Sequence, residues 1–224
     1  MNLARSAGLV FEKELRIELR THDLTQTVLF FVLTVAGIFS FAFEPGVVES
    51  QVVLPGLIWI AFFFAGTLML QLCFVREQVN DTLAALRLAP IDPFAILLGK
   101  ILANFGFLVV TEIVFVPVFC MFYNVGIRDF VGRLMLVLFL GTFGLAVVGT
   151  VFSAMTAHAR MRELLLPLLL LPILAPVLIS GVEATADLMG SGHTLGREWL
   201  MMLAGFDLIF ITATWLLAGF LVEE

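Results

Sequence analysis

Hydrophobic positions along the chain gather into six long blocks separated by short polar segments. The blocks run about 26–43, 52–75, 94–123, 134–157, 164–182 and 199–222. Each is close to or above the ~20 residues that a helix needs to cross a hydrocarbon layer of about 30 Å. The segment before the first block has a different pattern. Leu3, Ala7, Phe11 and Leu15 recur every fourth residue with Val10 beside them, while Glu12 and Arg16 form an i, i+4 pair on a charged side. That spacing predicts an amphipathic helix within residues 1–25, of the kind that lies in the interface plane; the alternative is an ordinary cytoplasmic lead-in. The pattern as a whole predicts an all-α polytopic membrane protein with six transmembrane helices. Residues 1–224 are expected to form a single transmembrane domain, with no soluble domain interrupting the chain.

Composition sharpens this picture. Of 224 residues, 61% are hydrophobic and only 13% charged, against roughly 45–50% and 25% in soluble domains. So few polar residues cannot cover a water-facing globule, which excludes a soluble enzyme, and the chain is too apolar to be disordered. The net charge of −6 provides no basic footprint for nucleic acid. Cys73 and Cys120 sit far apart within apolar runs and read as small buried hydrophobes. No signal-peptide pattern is expected over the charged first 23 residues. Lys and Arg set the orientation. With the N-terminus inside, Arg5, Lys13, Arg16, Arg20, Arg76, Arg87, Lys100, Arg160 and Arg162 fall on the cytoplasmic side, and Arg128, Arg133 and Arg197 outside. Nine cations against three predict that both termini are cytoplasmic.

Some blocks carry more than lipid-facing side chains. In the fourth, Ala146, Thr150 and Ala154 make one stripe and Gly149, Ser153 and Ala157 the next, which predicts a close helix-packing face. The fifth holds Pro167, Pro172 and Pro176, each expected to kink or break its helix. The following stretch, Ser180 to Glu198, mixes glycines with Glu183, Asp187 and His193. It reads either as a re-entrant element with an outer loop or as a plain solvated loop.

Candidate chemistry is sparse. Gly99-Lys100 lacks the spacing of a phosphate-binding loop, and the three histidines form no metal-binding pair. His22, His158 and His193 read first as solvated polar residues and second as haem-iron ligands. Trp59 and Trp199 read as interfacial anchors or core filler. Glu112 is the sharpest single residue, a carboxyl deep in the third block. A carboxylate there costs several kcal/mol unless it faces the bundle interior or a wet cavity. Its two readings are a gate, substrate contact or proton site, and a hydrogen-bonded acid that fixes helix packing. Asp207 in the sixth block is a second residue of this kind, and Lys100 is expected to snorkel to the cytoplasmic surface. The sequence predicts no catalytic residue, metal site or tightly bound cofactor.

The most informative segment is the cytoplasmic loop 76–93. Asn80 or Asp81 can cap a helix, Thr82 to Leu88 makes two short turns that carry Leu83, Leu86 and Arg87, and Pro90 and Pro93 end it. A short helix held between two spans is a lever that a cytoplasmic partner can push. The alternative is a connecting turn with no partner.

At this loop the chain resembles the haem exporter protein B (CcmB) family, the membrane subunits of the cytochrome c maturation ABC transporter. The resemblance rests on Asn80-Asp81-Thr82-Leu83, Leu88-Ala89-Pro90, Gly99-Lys100, Pro55-Gly56-Leu57-Ile58-Trp59, and the Glu112 region with Pro117, Phe119, Phe122 and Asn124. Asp81 stands where the family usually has glycine. The resemblance implies an ABC-2-type exporter permease of six spans in the bacterial inner membrane, working beside a second copy of itself. It implies an ATP-binding ABC subunit that supplies ATP hydrolysis, a Trp-rich haem-handling membrane subunit and a small single-span subunit. It further implies haem as candidate substrate, in delivery to c-type cytochrome assembly. Two other functions stay open at this point: a permease for a lipid or other hydrophobic substrate, and a non-transporting structural subunit of the haem-handling complex.

Overall fold

The computed structural model describes residues 3–42, 48–79, 92–123, 129–156, 161–190 and 194–223. Among the described residues the chain forms seven helices. These are α1 (Leu3–Thr21), α2 (Asp23–Ala42), α3 (Val48–Val79), α4 (Pro93–Tyr123), α5 (Val131–Thr156), α6 (Arg162–Met189) and α7 (Arg197–Glu223). Helices α2 to α7 contain apolar windows long enough to cross a membrane: Leu24–Ala42, Val52–Leu72, Pro93–Met121, Val131–Thr156, Leu164–Met189 and Arg197–Phe220. The six blocks of the sequence pattern are therefore six helices. With 32 residues, α3 is about 48 Å long at ~1.5 Å per residue, so it outruns the ~30 Å hydrocarbon layer.

The bundle is organised around α5, which packs against α3, α4, α6 and α7. Within its apolar window 72% of residues are buried, against 22% in α2 and α7; α5 is the axis and those two are the periphery. Glycine makes this possible. A Cβ on Gly141 would collide with the Trp59 ring, one on Gly149 with Leu70, and one on Gly144 with Asp207 and Phe206. Small residues let helix backbones approach closely, and α5 uses them toward both α3 and α7. Of the expected packing face, Ala146, Gly149, Thr150 and Ser153 are buried and Ala154 is half-buried; Ala157 lies outside the described residues.

Two expectations for the fifth block change. Helix α6 is continuous through Pro167, Pro172 and Pro176 and ends only at Met189. The segment 180–189, read from its glycines as the start of a loop or re-entrant element, is thus the last part of a long helix. Gly181 is not a breaker there but a notch for the Trp59 indole, and Ser180 returns its hydroxyl to Pro176 O at 2.7 Å. In a membrane-spanning helix, neighbouring helices and Ser/Thr hydroxyls compensate for proline. Among the described residues between α6 and α7, Gly190 and Thr194–Gly196 are non-helical.

Helix α1 is amphipathic, as its spacing predicts, and buries Ser6, Ala7, Val10 and Glu18. It packs along the first turns of α4, where Gly99 leaves room for Val10 and the Ala7 carbonyl. Its joint to α2 is a tight turn at His22, which holds φ of 57°. Glu18 closes that joint: its carboxylate accepts from Thr25 N–H and Thr25 Oγ1–H, both at 2.8 Å, which satisfies orphan donors at the start of α2.

Candidate functional site

The loop residues expected to contact an ATPase partner, Asn80, Asp81, Thr82, Leu83, Leu86, Arg87 and Pro90, lie outside the described residues, as do His158 and His193. The structure does describe how the loop enters α4. Asp92 is the cap: its Oδ1 accepts from Phe94 N–H at 2.9 Å. Pro93, read as a stop, is the first residue of α4. Proline suits that position because its ring presets φ and the missing N–H had no partner to lose.

Two turns further along, Lys100 does not snorkel. It is only 6% exposed, and its Nζ lies 3.6 Å from Glu14 Oε1 on α1, which Lys13 approaches at 2.9 Å. The cause is α1 itself, whose position over the start of α4 closes the path to water. A charged pair with few routes to solvent is strongly disrupted by removal of one partner.

Deep in the bundle, one polar motif recurs three times. On α5, Thr150 donates to Ala146 O at 2.6 Å and accepts from Asn104 Nδ2–H of α4 at 2.9 Å. On α6, Thr185 donates to Gly181 O at 2.7 Å and accepts from Trp59 Nε1–H of α3 at 3.0 Å. On α5 again, Thr142 donates to Leu138 O at 2.6 Å, with Glu112 Oε1 of α4 at 2.5 Å from the same hydroxyl oxygen. A hydroxyl has one proton and two lone pairs. Each threonine can spend its proton on its own helix and offer a lone pair to a neighbour. Both contacts of Thr142 are hydrogen bonds together when Glu112 is a neutral acid that donates to Thr142. Glu112 is 4% exposed, so it faces the bundle interior rather than lipid.

Asp207 differs. It is 7% exposed, and neither carboxyl oxygen has a hydrogen-bond partner. Its Oδ1 sits over Gly144 of α5, beside the Phe206 ring. Glu112 and Asp207 thus approach α5 at nearly the same level, through Thr142 and Gly144. Towards the outer end expected from the cation count, Asp187 of α6 accepts from Trp199 Nε1–H of α7 at 3.0 Å.

Reading residues singly missed Asn104, Thr142 and Thr185, and missed that Trp59 bonds Thr185 and that Thr150 accepts from Asn104. A signal for two pairs exists in the spacing. Asn104 and Glu112 are eight apart on α4, Thr142 and Thr150 are eight apart on α5, and the pairs run in opposite order. That is the register of two antiparallel neighbours joined by a short connection. Among the described residues no three His, Cys, Asp or Glu side chains converge on a point where a metal could sit.

Comparison with known sequences agrees with this architecture. The chain matches the family described as CcmB protein over residues 5–222. It is 34% identical over 211 residues to the protein named Heme exporter protein B of Pseudomonas aeruginosa, covering 92% of this chain and 89% of that protein. It is 29% identical to the Rhodobacter capsulatus protein of the same name, over 78% of this chain and 79% of that one. For the Haemophilus influenzae protein, also Heme exporter protein B, identity is 26% over 89% of this chain and 91% of that protein. A match from the first turn of α1 to the end of α7, in a six-span helical bundle, places this chain in the CcmB family.

Proposed function

We propose that this chain is the membrane permease of an ABC transporter that serves haem delivery or export for c-type cytochrome maturation. The observation that carries the reading is the near full-length similarity to proteins named Heme exporter protein B. Haem is the substrate on this reading, and the chain itself is not an enzyme. ATP is hydrolysed by a partner subunit, and the chain converts that work into helix rearrangement. The Trp-rich membrane subunit, the small single-span subunit and a second copy of this chain complete the assembly in the bacterial inner membrane. The nine-to-three cation asymmetry supports cytoplasmic termini and a cytoplasmic loop 76–93.

In this reading Asn80 or Asp81 caps a short helix, Leu83, Leu86 and Arg87 meet the ATPase subunit, and Pro90 ends the helix. Force applied there enters α4 through the Asp92 cap and Pro93. The first turns of α4 are held to α1 by the Gly99 notch and the Lys100–Glu14 pair, so α1 and α4 move together. Glu112 and Asn104 then transmit the displacement of α4 to α5 through Thr142 and Thr150. Glu112 acts as a helix-coupling acid.

Co-purification tests the handle. Changing Leu83, Leu86 and Arg87 to Asp is expected to abolish capture of the ATP-binding subunit and to eliminate c-type cytochromes in the host, while the variant still inserts in the membrane. Unchanged capture sinks the docking role. Deleting the gene without loss of c-type cytochromes sinks the haem reading and leaves the permease architecture in place.

A further inference from the structure

We infer that the contact between α5 and α7 is the joint of the bundle that opens, and that Asp207 is the gating residue that sets its balance. The inference rests on the reading of the chain as a moving permease and goes further by naming the seam. On its α4 side, α5 is joined by the bonds from Asn104 to Thr150 and between Glu112 and Thr142. On its α7 side, the polar group turned toward α5 is Asp207, and both of its oxygens are buried without a partner. A buried polar group with no partner raises the energy of the state that buries it. An opening of the seam that admits water or another donor to this carboxyl lowers the cost of the open state. A joint that cycles needs two states of similar energy, and an orphaned acid on a closed contact supplies that balance.

Two further observations place the movement here. The opposite side of α7 carries Leu208, Ile209, Leu216 and Phe220 at 65–73% exposure, so α7 can shift outward without breaking packing on that face. The closed contact is also tight. Oδ1 of Asp207 lies where a side chain on residue 144 would begin, at 2.8 Å from an added Cβ. Gly144 therefore permits closure, and Asp207 opposes it.

Substitutions at these two positions are expected to shift the closed and open populations in opposite directions. The full chain, with Cys73 and Cys120 changed to Ala, is placed in lipid nanodiscs with pairs of spin labels. Leu136→Cys with Met202→Cys spans the α5–α7 seam; Leu136→Cys with Val114→Cys spans α4–α5. The expected result is two distance populations across α5–α7 and one across α4–α5. Asp207→Leu reduces the longer population about tenfold, and the smaller Asp207→Val does the same if leucine overfills the notch. Gly144→Ala raises it. A single α5–α7 distance in all variants overturns the inference, as do two populations that ignore both substitutions. Adding the ATP-binding subunit and ATP separates this from the function itself. Populations that respond to Asp207 and Gly144 but not to nucleotide leave the seam standing and remove the ATP-driven permease reading.

Discussion

The two sides of α5 are built on opposite principles. Toward α3 and α4 the contact is filled and bonded: Trp59 lies in the Gly141 notch, Leu70 against Gly149, and Thr142 and Thr150 serve partners on α4. Toward α7 a glycine again permits close approach, but the group that enters is an acid with nothing to bond. In a bilayer the hydrophobic effect does not distinguish a closed helix pair from an open one, because lipid tails are as apolar as the interior. Packing and hydrogen bonds then decide which contacts hold; α5 packs closely on both sides, and the bonds described to α4 make that side the firmer.

The largest test of this contrast is Trp59→Ala. The side chain is 1% exposed, fills notches on both α5 and α6, meets Phe62 edge-on at 5.9 Å, and bonds Thr185. In soluble cores such truncations cost about 3–5 kcal/mol. The loss here is expected near ~3 kcal/mol, since only the cavity and hydrogen-bond terms remain when lipid replaces water as the reference. Unfolding of the reconstituted chain in mixed micelles measures it. A loss below that of any apolar truncation on α7, such as Leu203→Ala, would reverse the assignment of the firm side.

A middle-sized effect distinguishes the two readings of Glu112. As a neutral donor to Thr142, it is replaceable by Gln, whose amide also donates, and Glu112→Gln is expected to cost under ~1 kcal/mol. Glu112→Leu removes the bond but leaves Thr142 satisfied by Leu138 O, so it is expected to cost about 1–2 kcal/mol and, on the proposed permease function, to weaken the response to ATP hydrolysis by the partner. If Gln abolishes activity while stability is unchanged, Glu112 works by its charge or proton, not by its place in the packing.

Much of this was legible in the sequence, and for a physical reason. Six apolar blocks of adequate length have few alternatives to six helices, since backbone polar groups in lipid must be satisfied within the segment. The same logic misled at α6. Three prolines and a glycine signal a break in water, yet within a bundle Ser180 can return a hydroxyl to the backbone and Gly181 can receive Trp59. Lys100 shows a second limit. Snorkelling assumes a free path to the interface, and that path is closed by α1, an element distant in sequence. Glu112 and Asp207 were recognisable as unusual, but their difference was not, because a partner such as Thr142 on another helix decides whether a buried acid is bonded or orphaned.

The finest test concerns a pair whose worth is small but whose meaning is clear. Asn104 is 3% exposed and Thr150 fully buried, and their bond ties α4 to α5 one register step from Glu112 and Thr142. A double-mutant cycle with Asn104→Leu and Thr150→Val isolates the coupling from the two separate packing changes. Interhelical hydrogen bonds in membranes average about 0.6 kcal/mol by this measure, because the unfolded chain in lipid also finds partners. A value near ~0.6 kcal/mol is expected here, with Thr150→Val freeing Ala146 O as well as Asn104. Coupling near zero would mean that the Asn104–Thr150 bond adds nothing to the fit of α4 against α5. The α4 side of α5 would then differ from the α7 side by the absence of an orphaned acid, and Glu112–Thr142 would be its remaining polar link to α4 among the bonds described.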